Sequence, residues 1–84
     1  MPDDYSKIPE LTMTGLTNYR DHHIKPGQFV MAVLENNLFE AFGRADEFNK
    51  AAMHQIVKWV YNRLSPAPWG NSAAIREWIA QGSK

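Results

Sequence analysis

The chain contains no cysteine among its 84 residues. Disulfides and zinc–thiolate sites, the usual supports of small domains, are therefore excluded. A cysteine-free composition is typical of intracellular proteins, so we expect a cytoplasmic location. A single domain of this length buries about 60–65% of its unfolded surface, which is a small core. Because oligomerisation is another way to gain burial, we also expect the chain to self-associate.

Long hydrophobic segments are missing as well. The longest apolar run covers residues 29–34 and is far shorter than the ~20 residues that cross a bilayer. The first ten residues are acidic and lack the apolar stretch of a secretory signal. We therefore expect no membrane segment and no secretion.

Recognisable catalytic and metal-binding motifs are absent too, including GxSxG, HExxH and a glycine-rich phosphate loop. Neighbouring helical residues point about 100° apart, so His22 and His23 cannot readily share a metal ion. Glu35 and Glu40 are five residues apart and would face about 140° apart on a helix. His54 has no carboxylate at a matching spacing. We expect no enzyme, no catalytic residues, no metal and no cofactor.

What the sequence does contain is a central stretch with helical periodicity, predicted as two amphipathic helices over residues 26–43 and 46–64. Pro26 suits the first turn of the first arm, and Gly43 suits the position just after its end. The apolar face of this arm consists of Phe29, Val30, Val33, Leu34, Leu38, Ala41 and Phe42.

The second arm begins at Asp46, a good N-cap residue, and ends before Pro66, which disfavours a helical residue at Ser65. Trp59 and Tyr61 are expected to flank its apolar face. That face consists of Met53, Ile56, Val57, Val60 and Leu64.

Ahead of this pair, we predict an extended arm over residues 1–10, pinned to the body by Tyr5 and Ile8. A first helix follows over residues 11–23. Thr12 or Thr14 is expected to cap it.

After the pair, a short connector at residues 65–70 contains two prolines and one glycine. Trp69 in this connector is expected to plug back into the helices. A last helix over residues 73–81 is capped by Asn71 or Ser72, and its Ile75, Trp78 and Ile79 share one face. The predicted architecture is all-α: a compact bundle of about four helices around the central hairpin, with residues 11–84 forming one domain.

Charge is distributed unevenly although the net charge is zero. Residues 1–49 hold four Lys/Arg and eight Asp/Glu, a net of −4, and residues 50–84 hold five and one, a net of +4. The row of Lys50, His54 and Lys58 could face nucleic acid in a helix-turn-helix arrangement. Binding of this kind needs several cations, and the sequence pI near 6.8 gives it little support.

A polar group on the first arm is the candidate partner-binding surface. Asn36 and Asn37 are poor helix formers in mid-helix and could bond across a helix or subunit contact. Phe39 lies off the apolar stripe and is expected to be exposed. The candidate contact residues are Glu35, Asn36, Asn37, Phe39 and Glu40.

Two stretches of the sequence, PGQFVMAVLENNLFEAFGRADEFN and IVKWVYNRLSPAPWGNSAAIREWIA, together resemble a group of small proteins of unknown function encoded in phage and prophage genomes. The similarity covers about residues 8–80, with Asn37 where the pattern often has Asp and Asn71 where it often has Ser. The matching positions are a loosely placed Gly27, then Phe29, Ala32, Val33, Leu34, Asn36, Leu38, Ala41, Ala45, Asp46, Tyr61, Asn62, Trp69, Gly70 and Trp78.

The resemblance implies no activity, but it does imply a phage accessory product made in the bacterial cytoplasm. The expected function is non-catalytic binding to a host or defence-system protein, which the chain modulates or inhibits. Two alternatives remain open. One is a small DNA-binding regulator that uses the helix at 46–64, and the other is a structural or assembly protein.

Overall fold

The computed structural model describes residues 5–65 and 67–82, and within them there are six helices and no strand. The predicted all-α class is therefore confirmed. Residues 1–4 of the predicted arm and Pro66 of the connector lie outside the described residues. The helices are α1 (Glu10–His22), α2 (Gln28–Leu34), α3 (Leu38–Arg44), α4 (Glu47–Ala51), α5 (Met53–Arg63) and α6 (Ser72–Gln81).

The first helix, α1, starts one residue earlier than predicted, directly after Pro9, and has no side-chain cap. The predicted caps, Thr12 and Thr14, both lie inside the helix, so that prediction is wrong. Thr12 is buried instead, and its hydroxyl donates to Asn49 Oδ1 at 2.6 Å. This bond joins α1 to α4.

The predicted first arm, 26–43, is wrong as a single helix because the chain leaves helical geometry at residues 35–37. Asn36 adopts a left-handed φ of 63°, a conformation that asparagine tolerates better than most residues. The amides of Asn36 and Asn37 donate to the carbonyls of Val33 at 3.1 Å and Ala32 at 2.9 Å. This pair of bonds is the Schellman motif that ends helices.

The same turn starts the next helix. The side chain of Asn37 accepts from the amide of Glu40 at 3.3 Å and so caps α3. α2 and α3 pack against each other as a tight helical hairpin. Gly43 lies within α3, so its predicted place after a helix end is also wrong.

The predicted second arm, 46–64, is interrupted once. Asp46 caps α4 as predicted, accepting from the amide of Asn49 at 2.8 Å. At Ala52 the helix tightens. The backbone amide of Ala52 is shared between the carbonyl oxygens of Phe48 and Asn49, each at 3.2 Å. Each predicted arm is therefore divided into two helices.

The buried face of α5 is rotated relative to the prediction. Trp59, expected on the flank, is buried, whereas Val57, expected on the apolar face, is 49% exposed. The Arg20 guanidinium lies 5.3 Å from the centre of the Trp59 ring. Burying an indole removes more apolar surface from water than burying a valine, which favours this rotation.

The core combines side chains from α1, α2, α5 and α6. Ile8 is buried and Tyr5 packs beside it, which confirms that these two residues pin the segment before α1. The most deeply buried large side chains of the core are Leu16, Tyr19, Leu34, Ile56 and Ile75.

The last helix and its connector close the core as predicted. Asn71 caps α6, accepting from the amide of Ala74 at 2.9 Å. Trp69 and Trp78 both pack against the core. No described helix has the length and apolarity that a membrane crossing would need.

Candidate functional site

An open apolar groove lies between the α2–α3 hairpin and α5, with a volume of about 180 Å³. Ala32 and Ala41, buried against each other with Met53, form its inner wall. We call this feature the apolar groove. Its lining consists of Ala32, Val33, Asn36, Asn37, Leu38, Ala41, Met53, Val57, Val60, Tyr61 and Trp69.

The rim of the apolar groove carries large apolar side chains that remain exposed. Leu38 on α3 is 61% exposed, and on α5 Val57 is 49% and Tyr61 72% exposed. Phe42, one turn after Leu38, was predicted on the inward stripe but is 43% exposed. Residues four apart on a helix are neighbours, so Val57 and Tyr61 form an exposed apolar pair on the α5 wall.

The end of the groove is formed by Trp69, whose ring centre lies 6.2 Å from that of Tyr61. Its Nε1 is buried and has no hydrogen-bond partner in the described part of the chain. The loop that carries it is held by the amide of Gly70, which donates to the carbonyl of Leu34 at 2.7 Å. Gly70 has a φ of 112°, so a residue with a side chain would be strained there.

The lining of the apolar groove is mostly apolar. Its polar members are Asn36, Asn37 and the Tyr61 phenol, and its lining contains no carboxylate, histidine or serine. These groups provide shape, apolar contact and a few hydrogen bonds. Its volume is also below the ~300–1,000 Å³ of typical small-molecule sites.

The predicted contact residues are divided between two sides of the hairpin. Asn36 and Asn37 line the apolar groove, but they form the turn between α2 and α3, so the idea that they bond across a helix from mid-helix is wrong. Glu35 and Glu40 line a different, polar cleft. There Glu35 accepts from the Ser72 hydroxyl at 2.9 Å.

The outer face of α3 carries Phe39, which is 89% exposed, as the sequence predicts. Next to it in sequence, Glu40 forms an ion pair of 2.8 Å with Arg44 Nε. Arg44 also donates to the side-chain oxygen of Gln28. The exposed ring of Phe39 and this polar network therefore belong to the same hairpin.

The row of residues proposed for nucleic acid is divided between two helices that meet at Ala52. Lys50 lies on α4, and His54 and Lys58 lie on α5. Lys50 and His54 are exposed and Lys58 is partly buried. The row does not lie along one helix.

Among the histidines, His23 has a structural position at the end of α1. Its ring lies 4.1 Å from the Trp78 ring, and its Nδ1 is 2.7 Å from the Trp78 carbonyl oxygen. Within residues 5–65 and 67–82, no three potential ligands come together as a metal site.

Sequence reasoning missed Val57 and Tyr61 as surface residues of a groove. Their spacing of four residues on one helix was a usable signal, but Val57 was assigned to the core. The groove itself could not be seen from the sequence, because its walls come from three separate helices and a loop.

Comparison with known proteins gives no relative: no family model, no curated protein and no solved structure matches this chain.

Proposed function

We propose that this chain is a small non-catalytic accessory protein that binds a host or defence-system protein and modulates or inhibits it. The observation that carries the proposal is Phe39, 89% exposed on the outer face of α3. The resemblance to phage and prophage proteins supports a bacterial host and a cytoplasmic site of action.

The short helix α3 exposes most of its large apolar side chains. Ala41 is its only buried residue, while Leu38, Phe39 and Phe42 are all exposed. Exposed aromatic side chains such as Phe39 and Phe42 gain little from burial in an isolated domain. They are the residue type enriched at the centres of protein interfaces.

The hairpin that carries Phe39 is held in shape by polar contacts. Glu40, Arg44 and Gln28 form a connected polar network on it. Because the Schellman turn and the Asn37 cap fix α3, the ring is presented on an ordered element.

The experiment is affinity capture from a host lysate with three baits: the wild-type chain, Phe39→Lys, and Phe48→Lys as a matched control. Phe48 is 75% exposed on α4, so its replacement changes the same chemistry elsewhere. We expect a protein captured by the wild type and the control, and captured at least about tenfold less by Phe39→Lys. Equal capture by all three baits would contradict the assignment of the surface.

The DNA-binding alternative has its own readout in a salt titration with duplex DNA. Electrostatic binding weakens steeply as salt rises. Tight duplex binding that is lost in the Lys50→Glu/Lys58→Glu variant would favour the DNA-binding regulator. The structural alternative has a different readout, since large assemblies in light scattering would favour it.

A further inference from the structure

We propose that the apolar groove binds a small uncharged aromatic molecule that carries one hydrogen-bonding group, of which phenol is the simplest example. The groove is a different surface from the outer face of α3, so the proposal does not rest on the proposed function. It follows from four properties of the described lining: its volume, its lack of charge, its aromatic rings and its free polar groups.

The volume of the groove sets the size of the ligand. Most cofactors and drug-sized molecules occupy sites of ~300–1,000 Å³, whereas the groove measures about 180 Å³. An engineered apolar cavity of about 150 Å³ holds one benzene molecule. The groove is therefore matched to a molecule with a single ring, and its open side leaves room for a substituent at the surface.

The lining of the groove selects an uncharged ligand. None of the lining residues in the described part of the chain carries a formal charge. The inner wall consists of Ala32, Ala41 and Met53, which are buried. A charged ligand would lose hydration there without meeting an opposite charge, whereas an apolar ring gains free energy on leaving water.

Two aromatic rings in the lining favour a flat ligand. The ring centres of Tyr61 and Trp69 lie 6.2 Å apart, with an angle of 59° between the ring planes. Aromatic rings attract one another in such tilted arrangements, and the thioether of Met53 is a further favourable contact for a ring. A flat aromatic ligand therefore meets contacts that an aliphatic molecule of the same volume does not.

The polar groups of the groove supply the hydrogen bond. In the described part of the chain, neither the Asn36 side chain nor the Tyr61 hydroxyl has a hydrogen-bond partner. Asn37 is partly used, because its Oδ1 caps α3. Trp69 contributes only its ring, since its Nε1 is buried. A ligand hydroxyl can donate to the amide oxygen of Asn36 or accept from its NH₂ group.

The first test is an NMR titration of the ¹⁵N-labelled chain with phenol, toluene and benzoate, followed through its amide signals. Toluene lacks the hydrogen-bonding group, and benzoate adds a charge. We expect phenol to bind with a Kd of about 1 mM, as so few ligand atoms allow, and benzoate to bind at least about tenfold more weakly. The largest shifts should occur at Asn36, Asn37 and Trp69.

The second test removes the two free polar groups in the variant Asn36→Gly/Tyr61→Phe. Glycine is unstrained at the φ of 63° found at Asn36, so the turn is kept, and phenylalanine keeps the ring. We expect the Kd of phenol to rise at least about threefold and that of toluene to stay unchanged. Equal losses for phenol and toluene would contradict the hydrogen bond.

The third test fills the groove. Val57 lines it, so Val57→Phe should raise the Kd of both phenol and toluene at least about tenfold, because the added ring competes for the space. Leu11→Phe is the matched control, an equal change at a site that is 88% exposed on α1. It should leave both Kd values unchanged, and circular dichroism checks that each variant is folded.

Four results would overturn the proposal. Phenol that produces no shifts up to about 20 mM does not bind at the strength expected for its size. Benzoate that binds as tightly as phenol would show that the site is not selective for uncharged molecules. Phenol binding that the folded Val57→Phe variant retains unchanged would place the site elsewhere. Groove signals that shift when the free chain is diluted, and not with phenol, would identify a second copy as the occupant.

Discussion

At the scale of single residues, Tyr19 shows how a polar group is accommodated in the core. Its ring is fully buried, and its phenol donates to the carbonyl oxygen of Pro68 at 2.6 Å. Burial raises the pKa of Tyr19 from 10.0 to about 12, because the phenolate would lose its hydration. The protonated form is therefore part of the native structure.

The alkaline stability of the protein should reflect this phenol. The folded pKa lies above the unfolded one, so its contribution is complete below about pH 10 and is lost as the pH rises to about 12. We expect Tyr19→Phe to be less stable than wild type by about 1–3 kcal/mol at neutral pH, since the Pro68 carbonyl loses its donor. The difference, measured by urea unfolding, should shrink between pH 10 and 12; a constant difference would contradict the role of the phenol.

The left-handed conformation of Asn36 gives a second prediction at this scale. At a φ of 63°, a side chain with a β-carbon is strained unless it is asparagine-like, and glycine is not strained. We expect Asn36→Ala to lower the free energy of unfolding by about 1 kcal/mol and Asn36→Gly to lower it by less or to raise it. Thermal unfolding of both variants checks the order; if alanine is the more stable, the left-handed turn is not required.

At the scale of helices, the elements predicted best were those whose end signals are local. α6 has Asn71 at its start and a clear apolar face, and both were readable from the sequence. The interruption at residues 35–37 also had a local signal, because asparagine both caps helices and tolerates a left-handed φ. The apolar spacing continues unbroken across it, however, and by itself predicts one helix.

The interruption at Ala52 had no such signal, since alanine is the strongest helix former. Ala52 is fully buried in the core, where it packs with residues distant in the sequence. The candidate site likewise has one feature with a local signal in the sequence and one without. The exposure of Phe39 followed from its place off the apolar stripe, whereas the apolar groove depends on how α2, α3 and α5 meet.

The Asn71 cap of α6 provides a prediction for a whole element. Its side chain accepts from the amide of Ala74, and without it that donor at the helix start loses its partner. We expect Asn71→Ala to cost about 1 kcal/mol and Asn71→Ser to restore most of it. Urea unfolding of the wild type and the two variants measures this. An equal loss of unfolding free energy in both variants would show that the Asn71 side-chain amide acts in another way than by capping.

At the scale of the whole molecule, one core unites four helices. Leu16, Leu34, Ile56 and Ile75 come from α1, α2, α5 and α6 and are all fully buried. We expect a single unfolding transition in which circular dichroism and tryptophan fluorescence coincide. Ile56→Ala should lower the stability by about 2–5 kcal/mol and keep that coincidence. Separate transitions would indicate that the helices do not form one cooperative unit.

The bonds between α1 and the far end of the chain have a consequence for biosynthesis. Trp78 donates through Nε1 to the carbonyl of Tyr19, 59 positions earlier, and the Tyr19 phenol reaches forward 49 positions to Pro68. A nascent chain on the ribosome contains α1 long before these partners have been translated. The native state can therefore form only after Trp78 has left the exit tunnel, and until then the apolar side of α1 is available to chaperones and proteases.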